Sequence, residues 1–314
     1  MFFKRSFLIT FLLLSHSLHS NDSLYTKNHN KSLAVAGAAA GLYVSSAALL
    51  YNAWYKDYPK SSFHFFDDIQ QWNQSDKYGH VFFAYYQAKI WNKAFLWSGK
   101  SKISSAILAA SISFMAQNSI EVFDGFSKQW GASYTDVIAN GIGSGIFLAQ
   151  ELIFKKQLFQ LKYSYTFQSY ANPILQERSN QIFGRNYFQH MVKDYNGSVM
   201  WISTSLGDWK KEKSKLDFLG VAVGFGNGGL FGASINEWEN FSGIYYNMSH
   251  IPRYRKFLIA PDINLERIPT NKKWLKTLLF FANGMKLPMP TLEINTLGHV
   301  ELHPFYLFQS EIRF

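Results

Sequence analysis

The sequence predicts an α+β protein, with an N-terminal, membrane-associated helical bundle followed by a C-terminal antiparallel β-rich region. Three observations carry this. Apolar stretches at 34–54, 76–97 and 103–120 have helical length, and their polar residues recur at three- and four-residue steps. After Lys155 the pattern shifts to alternation, with Gly, Asn and Pro between the runs. Hydrophobic residues make up 47% and aromatics 18% against only 17% charged, a balance that leans towards a lipid surface.

At the N-terminus, Lys4 and Arg5 precede an apolar run over 6–18, and Ser20 stands before the polar Asn21–Asp22. That layout predicts a secretory signal peptide over residues 1–20 and hence export to the cell envelope. Residues 34–54 carry no charge and end near Tyr51 and Trp54, which suits a membrane-spanning helix with an interfacial aromatic end. Residues 58–75, with Pro59 and FHFFDDIQQW, read as a connection plus a short amphipathic piece. The segment 76–97 then begins with Ser75 or Asp76 as its N-cap and carries Asp76, His80 and Ala84 on one face.

A polar break over 98–102 separates this from 103–120, whose stripe Ala110, Ser113, Gln117, Glu121, Asp124 ends in polar groups at Gly125, a helix stop. From Ser133 a further helix aligns Asp136, Asn140 and Gly143, while Ser133 and Asp136 fit a capping box. Gly141 and Gly145 form a small-xxx-small pair, predicting close helix approach there. The helical region thus covers 21–155 and the β-rich region 156–314. Strands are expected over 161–170, 199–206, 219–225, 254–266 and 292–308, with GFGNGG at 224–229 as a turn and 274–282 as either helix or strand. Phe314, preceded by Phe305, Phe308 and Ile312, suggests an alternative architecture, an outer-membrane β-barrel with a helical appendage.

Several function classes fall away. The net charge of +10 is dispersed, and no zinc-finger, RNP or helix-turn-helix signature accompanies it, so nucleic acid is not the expected partner. Membrane lipid or an anionic envelope polymer fits that charge better. The absence of cysteine excludes disulfides, thiol catalysis and lipidation of a cysteine within these 314 residues. Seryl and zincin signatures are also missing.

What remains is an unusual set of polar residues inside apolar helices: Asp76, Lys77, His80, Glu121, Asp124, Ser133, Asp136 and Asn140. Such groups are costly to bury unless paired. Brought together, they could form a structural polar network, bind a polar head group, or hold a divalent metal ion through His80, Glu121 and Asp136. They could also provide an acid and a base for envelope hydrolysis of a lipid-linked or cell-wall substrate.

The same residues carry a family resemblance. D-K-Y-G-H at 76–80, E-V-F-D-G at 121–125 and W-G-A-S-Y-T-D-V-I-A-N-G-I-G at 130–143 resemble the YfiM-like family of predicted periplasmic proteins of unknown function. More distantly, D-K-x-x-H, a later Glu and S-x-x-D-x-x-x-N-x-x-G are similar to VanZ-like membrane proteins. The resemblance covers roughly 63–155 and implies an envelope location. The matching positions are Asp76, Lys77, His80, Glu121, Ser133, Asp136, Asn140 and Gly143.

Overall fold

A computed structural model describes residues 29–51, 59–210, 212, 214–240 and 242–306. The expected signal peptide and the aromatic end formed by Phe308, Ile312 and Phe314 lie outside these residues. Helix α1 runs His29–Leu50. Three further helices then form the N-terminal core: α2 (Ser75–Trp97), α3 (Lys102–Asp124) and α4 (Tyr134–Ile153).

Small side chains let these three helices approach. Ala84, Ala88, Ala106 and Ala109 are buried between them, and Ser113 Oγ donates to the Ala84 carbonyl at 2.6 Å. Around this seam Phe82, Tyr85, Trp91, Phe95 and Phe147 supply the apolar volume. Gly143 marks the tightest point, since a Cβ there would sit 2.2 Å from the Val81 carbonyl oxygen. The expected Gly141–Gly145 pair is not the approach site: Gly145 faces open space, and Gly141 has only ordinary contact with Phe114. Helical phase decided this, because position 143 faces α2.

Among the described residues α3 is long and apolar enough to cross a membrane, while the expected spanning stretch 34–54 runs partly outside the described residues. The entry to α2 also differs from expectation. Its N-cap is Gln74, which makes no side-chain cap, and Ser75 and Asp76 already lie inside the helix. Ser101 and Ser133 do cap α3 and α4, accepting from Ser104 N and Asp136 N.

A short parallel pair, β1 (Phe65–Phe66) and β2 (Ala132–Ser133), ties the segment before α2 to the start of α4. The C-terminal half is an antiparallel sheet of β3 (Phe159–Tyr165), β4 (Ser198–Ser205), β5 (Leu219–Gly228), β8 (Tyr254–Ile263), β9 (Thr291–Asn295) and β10 (Val300–His303). Its spatial order is β10-β9-β8-β5-β4-β3. A small hairpin of β6 (Glu237–Glu239) and β7 (Tyr245–Asn247) stands apart. Residues 284–286 run along β3, with Tyr163 N donating to Gly284 O and Lys286 N to Tyr163 O, both at 2.8 Å. The chain then reaches β9, which pairs with β8, so the sheet curls back towards its own first strand.

The expected turn at 224–229 is mostly strand. Gly224 to Gly228 continue β5, because a Cβ at Gly224 would strike the Trp201 ring and one at Gly228 the Tyr254 ring. Only Gly229, at φ 71°, turns the chain. The run 292–308 divides into β9 and β10 around Gly298, also at positive φ. Two helices interrupt the expected β texture: α5 (Pro173–Phe183), opened by an Asn172 cap and a first-turn proline, and α6 (Tyr187–Lys193). Residues 273–282 form helix α7 (Lys273–Ala282).

The α2–α4 contact gives a paired prediction. Gly143→Ala is expected to cost about 2–3 kcal/mol through overlap with the Val81 carbonyl. Gly145→Ala should gain about 0.5–1 kcal/mol from helix propensity alone. Urea melts of both variants would check this, and equal effects would contradict the packing.

Candidate functional site

The site is assembled where α2, α3 and α4 meet the segment before α2. That segment is held in an unfavourable shape. Trp72, Asn73 and Gln74 have φ of 50°, 49° and 61°, a left-handed run that non-glycine residues avoid. The sheet and its loops hold it: Trp72 N donates to Ala233 O at 2.7 Å, Arg255 to Asn73 O at 3.1 Å, and Asn227 Nδ2 to Ser75 Oγ at 2.6 Å. This clamp turns the first residues of α2, Asp76 and Lys77, onto α4.

Lys77 is buried and surrounded by carboxylates. Its Nζ lies 2.6 Å from Asp68 Oδ2, 2.7 Å from Asp136 Oδ1 and 3.2 Å from Asp76 Oδ2. Burial opposes its charge, but Asp76, Asp136 and Asp68 outweigh that and raise its pKa. Asp68 is also held by Ser133 Oγ at 2.7 Å and Thr135 Oγ1 at 2.9 Å. Burial would raise the Asp68 pKa, yet these bonds and Lys77 pull it below the ordinary value.

One turn along α2, His80 Nδ1 sits 3.0 Å from Asn140 Oδ1. The other end of that amide donates to Asn118 Oδ1 at 3.2 Å, so the Asn140 oxygen is the end left to accept from the imidazole. Nδ1 therefore carries a proton, and Nε2 points into the cluster. There it meets three carboxylate oxygens from three helices: Asp136 Oδ1 at 3.7 Å, and Asp76 Oδ1 and Glu121 Oε1 each at 3.8 Å.

Asp76 accepts from Tyr195 and Lys77, whereas the other two carboxylates are less well provided for. Glu121 is 3% exposed; its Oε2 accepts from Ser133 N at 3.1 Å, while its Oε1 has no hydrogen-bond partner. Asp136 is 4% exposed, and its Oδ1 stands 2.7 Å from Lys77 Nζ. Burial, then the charges of Asp136 and Asp124, push the Glu121 carboxyl up to about 9. Burial and Asp76 push Asp136 up to about 6, against the pull of His80 and Lys77. Even with Glu121 protonated, Asp68, Asp76 and Asp136 face one lysine, so the pocket carries an excess of negative charge.

The donor set suits a cation. Asp76, His80 and Asp136 bring ligand atoms within 4.8 Å of one another; Glu121 Oε1 lies 3.8 Å from His80 Nε2, outside that set of mutual distances. Four ligands at 2.0–2.2 Å from a tetrahedral ion stand about 3.3–3.6 Å apart, close to the separations around His80 Nε2. The hydrogen bond from Nδ1 to Asn140 is the outer-shell support such a histidine needs.

Of the residues expected from sequence, Asp76, Lys77, His80, Glu121, Ser133, Asp136 and Asn140 come together. Asp124 stands outside the group around His80 Nε2: it accepts from Trp130 Nε1, and its charge acts on Glu121. Sequence reasoning missed Asp68, Thr135, Asn118 and Tyr195, whose hydroxyl reaches Asp76 Oδ1 at 3.3 Å. The adjacent Asp67–Asp68 inside an aromatic cluster was a signal that could have found the first.

Residues 63–150 match a protein family described as predicted periplasmic lipoprotein (DUF2279). The match covers the stretch that builds the site. No curated protein and no solved structure matches the chain.

The raised carboxyls give a pH prediction for protein kept in chelator. Glu121 and Asp136 bind protons more tightly folded than unfolded, so stability falls as pH rises. Glu121 contributes from the ordinary carboxyl value of 4.5 up to about 9. Glu121→Gln should flatten the decline in melting temperature between pH 6 and 9. An unchanged slope would contradict the raised value.

Proposed function

We propose that this is an exported cell-envelope protein whose helical bundle binds one divalent cation. His80 Nε2, Asp76 and Asp136 are the ligands, and Glu121 completes the set. One observation carries the reading: three carboxylate oxygens from three helices converge on His80 Nε2, and one of them, Glu121 Oε1, is buried without a partner. A cation among them would relieve the excess negative charge and displace the Glu121 proton. A mixed imidazole–carboxylate set favours zinc or manganese over calcium or magnesium. Acidic lining argues against an anionic head group at the same place.

The envelope location is supported by the predicted signal peptide and by the periplasmic description of the matching family. The 314 residues themselves contain no cysteine that could take a lipid.

A second reading is favoured by one specific feature. Glu121 and Asp136 flank His80 with widely separated proton affinities, the arrangement that assigns an acid and a base. The bundle would then act on a lipid-linked or cell-wall substrate, with or without the cation.

Thermal melts with and without zinc or manganese test the first reading. At a hundredfold excess over the dissociation constant, binding adds roughly 2.7 kcal/mol. That gain should appear in the wild type and vanish in His80→Ala and Asp136→Asn. Variants that are merely less stable, with no metal response in the wild type, would reduce the cluster to a structural network.

A further inference from the structure

The sheet buries charged groups on its covered face and leaves an apolar surface on the other. In an antiparallel sheet with one face covered and one in water, apolar residues go to the covered face and polar ones to the water. Here the covered face carries charges beside a small apolar cluster of Val199, Trp201, Ala222, Leu258 and Ala260. Lys162 and Asp262 pair at 2.6 Å with side chains 1% exposed, and Lys286 stands 3.6 Å from the same carboxylate. Gln160, Ser203, Lys256 and Glu293 are buried as well.

The opposite face is apolar from strand to strand. Cross-strand register places Leu161, Ile202, Val223, Ile259, Leu292 and Leu302 in one continuous row. Beside it runs a second row of Tyr163, Met200, Phe225, Phe257, Ile294 and Val300. The rows begin beneath the helical core, which covers Leu161, Tyr163 and Met200. Beyond it they lie open: Ile259 is 48% exposed, Ile294 46% and Leu302 69%. With strands about 4.8 Å apart, the open rows extend roughly 20 Å.

We propose that this face is a lipid-contacting surface that seats the protein on membrane acyl chains. Apolar-out, polar-in alternation is what strands adopt when the medium outside is hydrocarbon rather than water. A second element has matching surface chemistry. Helix α7 exposes Trp274, Leu278 and Phe281 together with Lys272, Lys273 and Lys276 around its start, the composition of an interfacial helix that meets anionic lipid. The net charge of +10 acts in the same direction. This surface does not use the cation site and stands whether or not that site binds metal.

The cysteine-free chain allows a direct test. Single variants Ile259→Cys and Ile294→Cys, with Ser242→Cys on an exposed loop as control, carry an environment-sensitive dye. Vesicles of phosphatidylethanolamine and phosphatidylglycerol contain spin-labelled lipid as quencher. Quenching at 259 and 294 but not at 242 is expected, together with an about tenfold loss of vesicle binding in the double variant Ile259→Ser/Ile294→Ser. Absence of vesicle binding, or binding without quenching at 259 and 294, would overturn the proposal. So would protection of the two positions in a concentration-dependent dimer, which would make a second copy the occupant. The quenching result decides the matter even if the double variant does not fold.

Discussion

The bundle depends on one electrostatic constraint: several carboxylates are buried around a single ammonium group and a single imidazole. Lys77 can neutralise only part of the charge of Asp68, Asp76 and Asp136, and it is held in place by all three. His80 receives what is left. Removing one partner from such a cluster leaves an uncompensated buried charge, which is why no member can be regarded as a private cap or ion pair. Apolar packing of Phe82, Tyr85 and Phe147 brings the helices together, but the charges determine which faces meet.

The same constraint links the two halves of the chain. The left-handed run at Trp72–Gln74 is unfavourable by itself and persists because Arg255 and Asn227, on strands of the sheet, hold its backbone and Ser75. Tyr195, next to the start of β4, reaches Asp76 directly. The C-terminal region therefore takes part in forming the site, although every candidate ligand lies in the first 140 residues.

How much of this was legible follows from the kind of signal each residue gives. Asp76 and His80, and Asp136 and Asn140, lie four apart on helices, so helical geometry alone placed each pair on one face. Ser133 was legible as a cap because capping is local. The mutual approach of three helices is not local, and neither is the assignment of Gly143 as the contact glycine over Gly141 and Gly145. Asp68 sits in a segment without periodicity, and Tyr195 lies 119 residues from its partner in sequence. In the sheet, strands with strict alternation were legible. The glycines of β5 looked like a turn because the Trp201 and Tyr254 rings that require them belong to neighbouring strands.

Imidazole nitrogen NMR on His80 goes most directly to the idea that this cluster is built for a cation. In metal-free protein the Asn140 contact requires a proton on Nδ1. Titrating cadmium or zinc should then shift the Nε2 resonance alone, at one ion per chain. A His80 ring that stays unaffected by either ion, or that carries its proton on Nε2, would contradict a cation site and leave a purely structural network.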